Sequence, residues 1–276
     1  MQSVMLPVAI ITGSTGHIGL EVVKKLSQEG FSCICLGSKL SPVVELPLQY
    51  NVAPGQRHSY LALDLGQPLT RDINKLLLPG LNYNSRESVP QQQEMSIFQH
   101  KHWGHTYDYK LQLLVNIAGI SQTKMSIKMT PEEITRMINI NLLNPLILSQ
   151  VVAKQMYRES LRAVGNNNGA SPHSNIINVS SILGDLEETD IPGTSIYSAT
   201  KAGLTQYSHL FDNELRHSPH WPRIKCISPG PVVDSAMVQR LSESTQTHLI
   251  ERGLRTNSLT TTQEVAAKIW ELYLSA

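Results

Sequence analysis

Val8-Ala9-Ile10-Ile11-Thr12-Gly13-Ser14-Thr15-Gly16-His17-Ile18-Gly19 is the stretch that decides the fold. Its first four residues are uninterruptedly apolar, the composition of a strand buried on both faces of a parallel sheet. Glycines then recur at 13, 16 and 19, and Ile18, Val22, Val23 and Leu26 fall at helical spacing until Gly30 stops the run. Strand, glycine-rich turn and helix N-terminus in that order make a cradle for a pyrophosphate, which meets backbone N–H groups and the positive end of the helix dipole. Glycines at this spacing say little alone; directly after a first strand they say much more.

Outward from the turn, Ser32-Cys33-Ile34-Cys35-Leu36 reads as the next strand and ends in Gly37-Ser38-Lys39. A site for NAD normally places an acid here to hold the ribose 2′-hydroxyl. None is present, and Ser38 and Lys39 are placed instead to receive a 2′-phosphate, so NADP(H) is the expected cofactor. An acid introduced at Gly37 is then expected to swing the preference toward NADH. Two more strands follow, Tyr60 to Leu63 ending at Asp64, and Leu111 to Val115 leading into Asn116-Ile117-Ala118-Gly119. A long amphipathic segment, Pro131 to Tyr157, contains Asn141. This alternation predicts an α/β fold: one Rossmann-type, doubly wound parallel sheet flanked by helices, a single domain over 1–276.

The chemistry-bearing residues lie in INVSSILG and IPGTSIYSATKAG. Tyr197 and Lys201 are four apart and share a helix face, which sets an ammonium near a phenol of ordinary pKa about 10. A nearby cation favours the phenolate and draws the tyrosine toward the working range of a general acid. Ser181 follows the strand-like Asn175 to Val179, so its hydroxyl is expected at the strand's C-terminal end, where ligands bind in open α/β sheets. The bland reading of each is a chance pair and a turn-capping serine. Their company favours a carbonyl reductase or alcohol dehydrogenase.

With these residues in view the chain resembles the short-chain dehydrogenase/reductase family over nearly its whole length. Thr12-Gly13 to Gly19, Asp64, Asn116 to Gly119, Asn141, Ser181, Tyr197, Lys201 and Pro229-Gly230 stand in the family's order. LPVAIITG, SCICLGS, PGTSIYSATKAGL and ISPGPV are more narrowly similar to 3-oxoacyl-acyl-carrier-protein reductases of yeast mitochondria. The resemblance implies that Tyr197 is the acid, Ser181 positions the substrate carbonyl, Lys201 holds the nicotinamide ribose and lowers the tyrosine pKa, and Asn141 anchors a proton-relay water. It places the cofactor on Thr12, Gly13, Ser14, Thr15, His17, Ile18 and Gly19. It adds Ser38, Lys39, Asp64, Asn116, Ala118, Gly119, Tyr197, Lys201, Pro229, Gly230 and Val232. It also implies an acyl thioester substrate, an acyl carrier protein as partner, and a mitochondrial location, with the cytoplasm otherwise. Another ketone or alcohol, or a catalytically silent nucleotide-binding scaffold, remains open.

Three departures stand out. His17 occupies a position where the family has glycine, with Gly16 one place early, and is read as a tolerated loop residue or a phosphate contact. Fifteen residues separate Ser181 from Tyr197. The expected last helix, Gln263 to Leu272, has no strand after it, which removes a frequent tetramer element while leaving a homo-oligomer open.

The net charge of +1 and the 41% hydrophobic content fit a large core and argue against a strong global pull toward nucleic acid. No apolar run approaches the ~20 residues of a membrane span. The first twelve residues hold no Lys or Arg, so no presequence of the usual kind is visible. Cys33, Cys35 and Cys226 are read as reduced residues on strands, the first two on one face. No metal is expected: His100, His102 and His105 fall in the polar stretch 79–110, read as a surface insertion. A flexible loop is expected over Gly165 to Pro172. Arg216, His217, His220, Arg223 and Lys225 form a basic segment, read either as a dock for an acidic carrier or as a solvated helix end.

Overall fold

In the computed structural model the described residues are 4–38, 54–69, 100–102, 105–165, 174–185, 191–241, 243–255 and 257–275. Seven strands run Val4–Thr12 (β1), Ser32–Gly37 (β2), His58–Ala62 (β3), His100–His102 (β4), His105–Asn116 (β5), Asn175–Val179 (β6) and Arg223–Ile227 (β7). Six are parallel in the order β3-β2-β1-β5-β6-β7, and β4 pairs antiparallel with β5. The order reverses between β1 and β5, so the crevice beyond their C-terminal ends is the natural ligand site.

Alternation along the strands divides the core. Val8, Ile10, Ile34, Leu36, Leu111, Leu114 and Ile176 face one side; Ala9, Ile11, Cys33, Cys35, Leu113, Val115 and Ile177 face the other. Helices α1 (His17–Gln28) and α7 (Thr262–Leu274) cover the second side. The first is covered by α3 (Asn144–Gly165) through Leu148, Val152 and Met156, with Phe211 and Leu215 of α4 (Ser195–Leu215) beside them. Ile10 and Ile11 are fully buried, and each contributes about 1.5–3 kcal/mol by leaving water. The register of β1 on β5 shifts between Val8 and Ala9, which skips Gln112 and puts Leu111 and Leu114 on one face.

The amphipathic segment is broken into α2 (Pro131–Ile138), a π-turn at Asn139–Leu143, and α3. Thr130 starts α2 with a capping box to Glu133 and Pro131 behind it. A one-turn piece, α5 (Ala236–Gln239), and the longer α6 (Glu243–Arg255) follow β7. The expected final helix is present, and among the described residues no strand follows it, leaving β7 at the sheet edge.

Several expectations are corrected in extent. The insertion over 79–110 reaches too far: 100–102 and 105–110 are already strand, and Tyr109 and Lys110 are buried. Positions 79–99, Lys39 and the loop from 166 to Pro172 lie outside the described residues. Cys33 and Cys35 are free and buried on one face, and burial pushes the Cys35 thiol up to about 12, so neither is reactive. Among the described residues no group of His, Cys, Asp or Glu is able to hold a metal, and no helix is long and apolar enough to cross a membrane.

Candidate active site

Helix α4 enters the crevice by its N-terminus and carries Tyr197 and Lys201 on one face, while Ser181 lies just beyond β6. All three line one cleft with Gly119, Pro229, Gly230 and Val232. Lys201 is 3% exposed, and its Nζ donates to the Val179 carbonyl oxygen at 2.8 Å and lies 5.8 Å from the Tyr197 ring centroid. The Ser181 Oγ accepts from the Leu183 N–H at 3.2 Å, as a turn-capping serine does. That bond uses a lone pair and leaves its O–H to donate into the cleft.

The electrostatics differ from the expectation. Burial raises the Tyr197 pKa above 10, with the Ser181 hydroxyl acting the other way. Burial also lowers Lys201 to about 8. Desolvation governs the phenol, and the Lys201 Nζ is engaged by the Val179 carbonyl. The phenol therefore stays protonated at neutral pH, the form that a reductase's acid requires.

Asn141 sits inside the π-turn, a distortion frequent at functional sites. Its side chain is fully buried: Oδ1 accepts from the Ile120 N–H at 2.9 Å, and Nδ2 donates to the Ile120 carbonyl at 3.0 Å and to Thr200 Oγ1 at 3.3 Å. It fixes the loop after β5 against the catalytic helix. Gly119 completes this corner: a Cβ there would lie 3.6 Å from both Asn141 Oδ1 and Lys201 Nζ.

The glycine-rich turn fits a dinucleotide pyrophosphate. Gly13 has φ +66°, and a Cβ on it would stand 2.8 Å from Ala118 Cα. A Cβ on Gly19 would stand 2.1 Å from the Gly13 carbonyl oxygen, so the turn closes only with hydrogen at both places. Thr12 Oγ1 accepts from the N–H groups of Ile117 and Ala118 at 3.0 and 3.1 Å, locking the ends of β1 and β5 together across the crevice. Ile18 lines the cleft, and Thr15 borders Gly37.

The side chains of several other expected cofactor residues have partners within the chain. Ser14 is buried and its Oγ donates to the Leu36 carbonyl at 3.1 Å. Asn116 is buried behind the crevice, its Nδ2 donating to Asn178 Oδ1 at 2.8 Å and Ser149 Oγ at 3.2 Å. Asp64 accepts from the Gly66 N–H at 2.8 Å and pairs with Arg136 at 3.3 Å, and these hold its carboxyl below the usual range. Ser38 is exposed at the end of β2. Gly37 does not suit the acid substitution, since a Cβ there would meet Tyr60 Oη at 2.8 Å and Thr15 Cγ2 at 2.9 Å. His17 begins α1, and its Nδ1 lies 2.8 Å from the Asp234 carbonyl oxygen and 3.1 Å from the Ala236 N–H. Its ring meets the segment after Pro229-Gly230.

The basic segment is not a free docking surface beside the cleft. Arg216 and Arg223 both pair with Asp212, at 2.8 and 2.9 Å. At 1.5 Å per residue Arg216 lies about 28 Å along α4 from Tyr197, at the opposite edge of the sheet.

Sequence reasoning passed over Met237, whose Sδ is 4.0 Å from Tyr197 Oη, and Leu241 and Leu249 on the same wall. The apolar spacing of Met237, Val238 and Leu241 was the available signal. It also passed over Gln122, which no local pattern marks.

The sequence model described as short chain dehydrogenase matches residues 92–246, more than half of the chain, and the chain belongs to that family. This places it among the NAD(P)-dependent oxidoreductases. It is similar to a 3-oxoacyl-[acyl-carrier-protein] reductase of Thermotoga maritima, 24% identical over 89% of this chain and 81% of the relative. It is also similar to an NADPH-dependent 1-acyldihydroxyacetone phosphate reductase of Saccharomyces cerevisiae, 25% identical over 88% and 67%. In fold it is similar to the 3-ketoacyl-(acyl-carrier-protein) reductase from Brucella melitensis complexed with NADH, with TM-score 0.71, 17% identity and coverage of 98% and 91%.

Proposed function

We propose that this chain uses NADPH to reduce 3-oxoacyl thioesters held on an acyl carrier protein to the 3-hydroxyacyl compounds, in a mitochondrial type II fatty acid synthesis. One observation carries the acyl reading. The cleft that holds Tyr197 and Ser181 is also lined by Leu183, Met237, Val238, Leu241 and Leu249, an apolar wall beside the proton donors. The reductases named above act in support, as does the resemblance to yeast mitochondrial enzymes. The absence of an acid at Gly37 and Ser38 supports NADPH.

A dinucleotide whose pyrophosphate is held by the glycine-rich turn would supply a hydride from its nicotinamide to the carbonyl carbon. Ser181 donates its free O–H to the carbonyl oxygen and fixes its position. Tyr197 transfers its phenolic proton to that oxygen as the carbon–oxygen double bond becomes single, giving the alcohol and a phenolate. Lys201, mostly protonated at pH 7 with a pKa of about 8, lies close enough to favour that phenolate. The apolar wall keeps water from the reacting centre.

Purified protein assayed with NADPH and NADH against a panel of 3-oxoacyl thioesters and unrelated ketones tests the reading. Highest kcat/KM is expected for a thioester with NADPH. Turnover confined to simple ketones would overturn the thioester assignment, and equal kcat/KM for both cofactors would overturn the cofactor preference. Fractionation of cells from the source organism tests the location.

A further inference from the structure

Helix α4 carries the acid, yet its N-terminus is not capped from within. The N-cap residue Thr194 makes no side-chain bond to the helix N–H groups: its Oγ1 donates to the Ile191 carbonyl at 2.7 Å and accepts from the Ser198 hydroxyl at 3.5 Å. The first N–H groups of a helix have no intrahelical acceptor and are costly to bury unpaired. Here they are met from the loop after β5. Gln122 Oε1 accepts from the Ile196 N–H at 2.9 Å and from the Tyr197 N–H at 3.3 Å. Its Nε2 donates to the Lys124 carbonyl at 2.9 Å and to Ser126 Oγ at 3.1 Å. Ser126 Oγ in turn bonds Ser195 Oγ, so Gln122, Ser126 and the first turn of α4 close a ring. The glutamine is 2% exposed and lines the cleft it braces.

We propose that Gln122 is a positioning residue for the reaction: an external, uncharged cap that sets the place of the catalytic helix and, through the Tyr197 backbone, the aim of its phenol. The inference rests on Tyr197 being the acid. An amide suits the task better than a carboxylate would. A glutamate would bond the same two N–H groups and favour the helix dipole, but its charge would oppose the phenolate formed one step away. The neighbouring Asn141 pins the same loop one turn farther along α4, at Thr200, so the loop after β5 meets the catalytic helix at two levels.

The test compares Gln122→Met, Gln122→Glu and Tyr197→Phe in the enzyme, by steady-state reduction over a pH series, dinucleotide Kd and thermal unfolding. Gln122→Met keeps the volume and loses all four side-chain bonds. A displaced near-attack geometry costs about 10²-fold, so kcat should fall 10- to 100-fold with dinucleotide Kd changed less than threefold. Gln122→Glu keeps the two bonds to the helix N–H groups but loses the donation to the Lys124 carbonyl, so it should recover part of that kcat, and the alkaline limb of its pH profile should move upward, because a nearby negative charge raises the phenol's pKa. Wild-type kcat in Gln122→Met would overturn the proposal. So would a fall in kcat matched by an equal loss of dinucleotide binding and folding, which marks a purely structural residue. Tyr197→Phe separates the two readings: if it retains turnover, the acid assignment fails first, whatever Gln122 does.

Discussion

At the scale of the residue, burial governs the chemistry. Tyr197→Phe removes the transferred proton and leaves the cradle untouched. It should lower kcat about 10²- to 10⁴-fold with little change in dinucleotide Kd, read by initial rates and by titration of cofactor fluorescence. Lys201 offers a pH signature. Its folded pKa of about 8 lies below the unfolded value near 10.4, so between these values the unfolded chain binds more protons and stability rises with pH. Lys201→Met has no such term. Wild type should therefore gain on Lys201→Met by up to about 3 kcal/mol as pH rises from 8 to 10.5. Urea unfolding of both proteins at matched pH would show it, and parallel curves would mean that the lysine is not desolvated.

At the scale of the element, the turn between β1 and α1 is the most exacting piece of backbone. Gly19→Ala drives a methyl group into the Gly13 carbonyl and should abolish measurable dinucleotide binding. Gly16→Ala is the control. Gly16 has φ −80°, and its Cβ would stand 3.3 Å from the same oxygen, so only a small shift is needed and binding should fall no more than a few-fold. Calorimetric titration with NADPH distinguishes the two. Comparable binding by both variants would show that the closure is not needed. This element was legible from the glycine spacing directly after an apolar strand. Helix α4 was legible too, but the source of its cap was not, because Gln122 is 74 residues distant from Ile196 in sequence.

At the scale of the whole molecule, the sheet separates chemistry from cohesion. Asp212 gathers Arg216, Arg223 and the Ile224 N–H where α4 ends and β7 begins, about 22 Å along the helix from Tyr197. Burial acts to raise its pKa, but the bonds from Arg223, Ile224 and Arg216 prevail and bring it down to about 2. The stability it contributes is present above the unfolded pKa of about 3.9 and is lost as pH falls toward 2. Asp212→Asn should lower Tm at pH 7 by several degrees, with the difference from wild type shrinking below pH 4, while kcat at 25 °C stays within twofold. A kcat loss of tenfold or more at full folding would link this edge to the active site after all.

Sequence by itself determined most of the parallel strands and their alternation, the glycine turn and the order of Ser181, Tyr197 and Lys201, because each depends on local periodicity or on residues that close a turn; β4 and the first half of β5 lay hidden in a polar stretch. Tertiary structure alone decided which polar residues face the cleft. Ser14, Asn116 and Asn141 stand at family positions, yet their hydrogen bonds go to Leu36, Asn178 and Ile120. The basic segment likewise looked free until Asp212 was folded against it. A buried polar group must find a partner, and that partner comes from whichever element the fold brings near.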